Sequence, residues 1–181
     1  VLDLAKIESG HIDLKLEPVE IGAIFEECLS LLRTQANKQG ITLTQDGVAN
    51  QVLRADRMRL KQVLLNLVSN AIKYNRKGGK VHVETRKSDQ PGYLKILVTD
   101  SGEGIAAHRL AELFQPFNRL DAANTAIEGT GIGLYLCRQI IELMGGSIGL
   151  DSEPGVGSTF WFALPIAPKT DTDMDVEKSN T

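Results

Sequence analysis

Several things are scarce in this sequence, and each scarcity narrows what the chain does. Among 181 residues there are two cysteines, Cys28 and Cys137. Both lie in apolar, helix-like patterns and at no metal-ligand spacing, so neither a disulfide framework nor a zinc cluster is expected, and they read as reduced core thiols of a cytoplasmic protein. A basic excess is also missing: the formal net charge is -3 and the pI about 5.7. Nucleic acid and anionic membrane surfaces select positive charge, so neither is expected as a partner. Any anionic ligand must instead be held by local geometry. No apolar run approaches the length of about 20 residues that spans a bilayer, and no signal peptide is visible. Because the chain opens on Val1 and not on methionine, it is expected to be a piece of a longer protein.

What is present suffices for one sizeable core, with 42% hydrophobic and 24% charged residues. "VLDLAKIESG" resembles the last turns of a helix, and "IDLKLEPVEI" a short strand or connector that meets Pro18. Ile24, Phe25, Cys28, Leu31 and Leu32 recur at helical spacing in a segment from Ile21 to Gln39 that stops at Gly40. Short strands are expected at 41–44 and 51–54, and Asp56 is placed to cap a helix running to about Tyr74. "KVHVETRK" and "YLKILVTD" flank a turn and predict a hairpin, and "SIGLDSE" and "GSTFWFALP" predict a second one. Helices are expected at 109–114 and 131–144. Hairpins interleaved with helices imply an α/β two-layer sandwich, a mixed but mainly antiparallel sheet with helices on one face. Beyond Pro168 there is almost no apolar content, and a disordered tail over 168–181 is expected.

The helix before Tyr74 carries an unusual polar ridge. Leu60, Val63, Leu64, Leu67, Ala71 and Ile72 form its apolar stripe, while Arg59, Gln62, Asn66, Asn70 and Lys73 follow one another at three- and four-residue steps. Such a ridge is ordinarily just a solvated face. Asparagine, however, is a poor helix-interior residue because its amide competes for the backbone, so two of them one turn apart call for compensation. An amide oxygen is a neutral hard ligand suited to Mg2+, which takes few protein ligands when phosphates and waters supply the rest. Lys73 then stands one turn on, within reach of a phosphate.

Two further stretches point the same way. "LKILVTDSGEGI" is a strand ending at Asp100 that breaks into Gly102 and Gly104, a carboxylate beside backbone that a flat ligand can approach closely. An ionised carboxylate accepts from the exocyclic amine of adenine and finds no such donor at the same place on guanine. An exposed aspartate in a glycine turn remains the plain alternative, and Gly102, Gly104 and Ala107 also fit the dinucleotide pattern GxGxxA, although late in the chain and after a hairpin. In "EGTGIGLYLCRQIIELMGG", Gly129, Gly131 and Gly133 open a helix whose free amides and positive dipole end suit a phosphate chain. The lysine–serine pair of a Walker loop is absent, which excludes an ordinary P-loop. Phe114 and Phe117 precede it and are placed to pin one end of a small, polar, lid-like segment.

Taken in order, "NLVSNAIKY", "DSGEGI", "FQPF", "GTGIGL" and "GSTF" resemble the asparagine, first glycine, phenylalanine, second glycine and final-strand signatures of the catalytic and ATP-binding domain of sensor histidine kinases. That domain shares the Bergerat fold of the GHKL superfamily with gyrase, Hsp90 and MutL ATPases. The resemblance covers about Val19 to Pro165 and implies a domain over 19–167, preceded over 1–18 by the end of a dimerisation helix and a linker. It implies ATP and Mg2+ as ligands, with Asn70 on the metal and Asn66 supporting metal and phosphate. Lys73 and Tyr74 would contact the phosphates and the ribose side. Asp100 would accept from adenine, Gly102, Gly104 and Ile105 would give the ring access, and Thr159 would complete a water-mediated contact. Phe117 and Arg119 follow, Arg119 as a γ-phosphate contact, and the stretch Gly129, Thr130, Gly131, Ile132, Gly133 and Leu134 would close on the triphosphate. Asn66, Lys73 and Arg119 are thus the residues expected to act on the phosphoryl group in transfer.

The resemblance further implies a cytoplasmic domain of a homodimeric protein that phosphorylates a histidine on its own helical dimerisation domain and then serves a response regulator. The acceptor motif HExRTP is missing: His11, His82 and His108 lack such neighbours. The glutamate that activates water in gyrase and MutL is missing too, its place being taken by Asn66. A phosphotransferase module is therefore the leading expectation, ahead of an ATP-hydrolysing switch and of a nucleotide-binding regulatory module without transfer activity.

Overall fold

The computed structural model describes residues 5–6, 9, 12–47, 50–116 and 132–168. Their order is β1 (Glu17–Glu20), α1 (Ile21–Lys38), β2 (Thr42–Asp46), β3 (Val52–Ala55), α2 (Arg57–Lys73), β4 (Lys80–Lys87), β5 (Tyr93–Asp100), α3 (Ala107–Leu110), α4 (Gly133–Leu143), β6 (Ser147–Glu153) and β7 (Gly157–Pro165). Local chemistry sets most boundaries. Helix α1 ends because Gly40 turns left-handed (φ 67°) and the Gly40 and Ile41 amides fold back on Asn37 O and Ala36 O. That bond takes Ile41 out of the following strand, so β2 starts at Thr42 and not at 41. Helix α2 begins where Asp56 Oδ1 accepts from the Arg59 amide at 3.1 Å. The helix expected over 109–114 is α3, one turn over Ala107–Leu110, followed by turns to Phe114. It has no side-chain cap and buries none of its own residues, so little carries it further.

The main sheet has the order β2-β4-β5-β7-β6. Only the β2–β4 pair is parallel, and β4–β5, β5–β7 and β6–β7 are antiparallel. Helices α1, α2 and α4 cover one face, α2 packing against both α1 and α4 and lying on β5. Alternation along the strands sorts the side chains. Val81 and Val83, Leu94, Ile96 and Val98, and Phe160, Phe162 and Leu164 face the helices and are buried, while Lys95 and Trp161 meet on the other face in a cation–π contact of 4.1 Å. Strands β1 and β3 form a separate antiparallel ribbon that touches the main body through the Leu53–Ile166 bridge. Pro18 is tolerated there because β1 pairs on one side only. Cys28 and Cys137 are free and buried. Burial pushes their thiols up to about 11 and about 12, as inert core groups require.

Candidate functional site

Helix α2 is the spine of the site. Its stripe of Leu60, Val63, Leu64, Leu67, Val68, Ala71 and Ile72 is buried, so the polar ridge is forced to the other side. Along that ridge Arg59 Nη1 donates to Gln62 Oε1 at 2.9 Å and Asn70 Nδ2 donates to Asn66 Oδ1 at 3.2 Å, both asparagines being half-buried. The second bond uses the Asn70 nitrogen and not its carbonyl oxygen, which stays at a helix surface one turn from Asn66. Lys73 and Tyr74 are exposed at the C-terminal end.

The ridge meets both of the other motifs. At the C-terminal end the backbone turns under the glycine loop: a side chain on Gly102 would lie 2.7 Å from Tyr74 O and 2.8 Å from Asp100 Oδ1. Nearer the middle, Gly133 presses on Asn66 so closely that a Cβ there would fall within 3.0 Å of Asn66 Nδ2. Gly133 is the first residue of α4, and Ile132 before it makes no side-chain cap, so the end of the helix that carries its positive dipole lies against Asn66. The start of α4 and the asparagine ridge are therefore neighbours, as the triphosphate expectation requires. Ile105, Leu134 and Phe114 pack against the core, and Ile132 is buried. Phe117, Arg119, Gly129, Thr130 and Gly131, which the sequence also placed in the site, lie outside the described residues, as does His11.

Asp100 ends β5 with even spacing from Ile96 and Val98, so it faces the helix layer. Its Oδ1 accepts from the Gly102 amide at 2.8 Å. Burial pushes its carboxyl above the ordinary carboxylate range, and the Gly102 and Ser158 amides pull the other way. A half-buried acceptor of this kind is suited to a neutral donor such as an exocyclic amine. Thr159 does not join it. In the antiparallel register Thr159 pairs with Thr99, one step off Asp100, and the two threonine hydroxyls bond at 3.0 Å on the far face of the sheet. Directly opposite Asp100 stands Ser158, 6% exposed, whose amide bonds the carboxylate. "GSTF" itself hides this, since nothing local says whether its serine or its threonine faces the helices. The alternation of Phe160 and Phe162 as core residues was the available signal.

Metal chemistry is limited by the donors on hand. Among the described residues there is no group of three or more His, Cys, Asp or Glu side chains able to hold a metal. A cation at the ridge would be held by the Asn66 and Asn70 amide oxygens together with phosphate, a set that fits Mg2+ and suits no thiophilic ion. His82 lies on the far face, bonded through Nδ1 to Thr44 Oγ1 at 2.8 Å, and His108 sits exposed on α3.

A sheet covered on one face by helices, with a strand-end acid on its helix-facing side and an asparagine ridge on α2 beside the start of α4, defines a GHKL-type ATPase domain. Comparison with known proteins agrees. The family described as histidine kinase-, DNA gyrase B- and HSP90-like ATPase matches residues 55–168. Similar proteins include the non-motile and phage-resistance protein of Caulobacter vibrioides, 38% identical over 92% of this chain and 20% of that protein, and the sensor histidine kinase GacS of Pseudomonas protegens, 36% identical over 97% and 20%. The chain thus spans about a fifth of the length of these relatives. Among solved structures, full-length ShkA in complex with AMPPNP superposes with a TM-score of 0.83 at 30% identity, covering 93% of this chain and 35% of that one. The catalytic domain of the histidine kinase ThkA superposes at 0.71 and 30% identity, covering 84% and 96%. The chain belongs to the histidine kinase-, DNA gyrase B- and HSP90-like ATPase family, as a catalytic and ATP-binding domain of the sensor histidine kinase kind.

Proposed function

We propose that this domain binds Mg-ATP between α2, the 100–105 loop and the start of α4, and hands the γ-phosphoryl to a histidine on a helical dimerisation domain of the same protein. The observation that carries the reading is the meeting of the α2 ridge with both other motifs, Gly102 at one end and Gly133 against Asn66. Asp100 accepts from the adenine amine and Gly102 and Gly104 admit the ring. Asn66 and Asn70 would hold Mg2+, which when bound neutralises charge on the phosphate oxygens. Lys73 adds a point charge, Tyr74 flanks the ribose side, and the amides opening α4 receive the phosphate chain. Arg119 and the glycines of 129–131 are proposed for the γ-phosphate end from the motif alone. Catalysis by this chain is orientation and charge neutralisation, with no nucleophile of its own.

Hydrolysis is the competing fate. A general base beside the γ-phosphate would direct water there, and the ridge offers an amide, Asn66, where a carboxylate would be needed. The chain should therefore hydrolyse ATP slowly when alone. His82, on the far face of the sheet, is no candidate acceptor. The AMPPNP complex of ShkA supports the triphosphate, and the structure of ThkA with the response regulator TrrA, 26% identical over 92% of this chain and 47% of that one at a TM-score of 0.71, supports a response regulator as the later partner. Residues 1–18 are proposed as the end of the dimerisation helix and its linker, with 19–167 as the catalytic unit of a homodimer facing the cytoplasmic ATP pool. No helix among the described residues is long and apolar enough to cross a membrane. The deciding experiment supplies the helical domain in trans with labelled ATP. Label on its histidine is the expected result; rapid phosphate release with no transfer would overturn the assignment.

A further inference from the structure

The register of the sheet lines up four side chains on the helix-facing side of four successive strands: Val81, Asp100, Ser158 and Ser152. The last of these belongs to no motif. Ser152 Oγ lies 2.8 Å from the Ile105 amide, 2.8 Å from Ser158 Oγ and 3.1 Å from Gly157 O. A hydroxyl has one proton to give and two lone pairs to offer. All three contacts are satisfied together only when Ser152 donates to Gly157 O and accepts from the Ile105 amide and the Ser158 hydroxyl. Its capacity is then full, and the Ser158 proton is drawn away from Asp100.

We infer that Ser152 is a positioning residue for the adenine subsite, acting through the 102–105 loop without touching the nucleotide. The loop is tied at two ends. Gly102 N is held by Asp100 Oδ1 and Ile105 N by Ser152 Oγ. Between them the β6–β7 turn grips the backbone again: Gly155 N donates to Glu103 O at 2.7 Å, and Gly104 (φ 71°) lies so close to Glu153 that no Cβ fits. A flat base needs this backbone already in place, because a loop that must be ordered on binding subtracts its ordering entropy from affinity. Ser152, next to last in β6, is the one side chain of the β6–β7 hairpin that bonds the loop among the described residues.

The inference rests on the ATP reading above, and the test separates the two. Mg-ATP and Mg-bound inorganic triphosphate, which has no base, are titrated against the full chain and against Ser152→Ala, Ser152→Thr and Asp100→Asn. Ser152→Ala should weaken ATP about tenfold, roughly the worth of one hydrogen bond in a loop that must then order on binding, and leave triphosphate unchanged. Ser152→Thr, which keeps the hydroxyl, should restore ATP affinity. A purely structural role would lower thermal stability and move both ligands together or neither, and either pattern overturns the proposal. If ATP binding responds to Asp100→Asn but not to Ser152→Ala, the positioning role alone fails; if the unaltered chain binds no ATP, both readings fail. Should Ser152→Ala not fold, hydrogen exchange of the Ile105 amide in the unaltered, nucleotide-free chain decides: protection is expected, and exchange at the rate of a free amide refutes it.

Discussion

Gly133→Ala separates function from stability in this domain. The glycine φ is outside the left-handed region, so an alanine backbone fits. Within a helix alanine is favoured over glycine by up to about 1 kcal/mol, and folding should be unharmed or slightly strengthened. The added methyl, however, would enter the space of the Asn66 amide, within 3.0 Å of Nδ2 and 3.1 Å from Cγ and Oδ1. Ordinary contact starts near 3.4 Å, so the amide must retreat by about 1 Å, too far for its oxygen to keep a bond of about 2.1 Å to Mg2+. That retreat also breaks the 3.2 Å bond by which Asn66 orients Asn70. The expected outcome is an unchanged or higher melting temperature with Mg-ATP affinity about 10–100-fold weaker, equivalent to roughly 1.4–2.8 kcal/mol. Calorimetric titration reads the affinity and scanning calorimetry the stability. A double-mutant cycle supplies the mechanism: in an Asn66→Ala background the methyl has no amide to displace, and Gly133→Ala should cost almost nothing. Unchanged Mg-ATP affinity in the single variant, or a full-sized loss that persists without Asn66, would refute the reasoning.

Other consequences can be measured directly. Burial raises the Asp100 carboxyl, so in the folded chain it protonates at a higher pH than an ordinary aspartate; its protonated form favours folding at low pH and that stability is lost as pH rises through the raised value. Because adenine needs the ionised acceptor, ATP affinity should fall on mild acidification before ordinary carboxylates titrate, and an Asp100→Asn chain that keeps the same pH slope would disprove the assignment. Asp56 is 7% exposed and accepts from the Arg59 and Lys15 amides at 3.1 and 3.0 Å. Its alanine variant should lose about 1–2 kcal/mol of stability, read by denaturant titration, with Asn intermediate. Cys137, its thiol pushed up to about 12 by burial, should resist alkylation in the folded chain and react only on unfolding; rapid labelling of the native protein would contradict its packing.

The parts of this protein that were legible in the sequence are those that depend on neighbours along the chain. Helix α2 could be drawn from its 3.6-residue period and its Asp56 cap, and the hairpins from alternation around Gly and Pro turns. Asn66 and Asn70 share a face because four residues are about one helical turn. These follow from backbone geometry that each segment carries with it, and so does the order of motifs that identifies the family. Other facts needed the fold. Thr159 and Ser158 are adjacent in sequence and sit on opposite faces of the sheet, and only the register between β5 and β7 decides which one stands opposite Asp100. Ser152 reaches Ile105 across 47 positions, and Gly133 reaches Asn66 through the packing of α4 on α2. Such contacts are set by where whole elements dock, which depends on a core shared by all of them. A segment's own pattern specifies which face it must bury, but not which residue of another segment it will meet there.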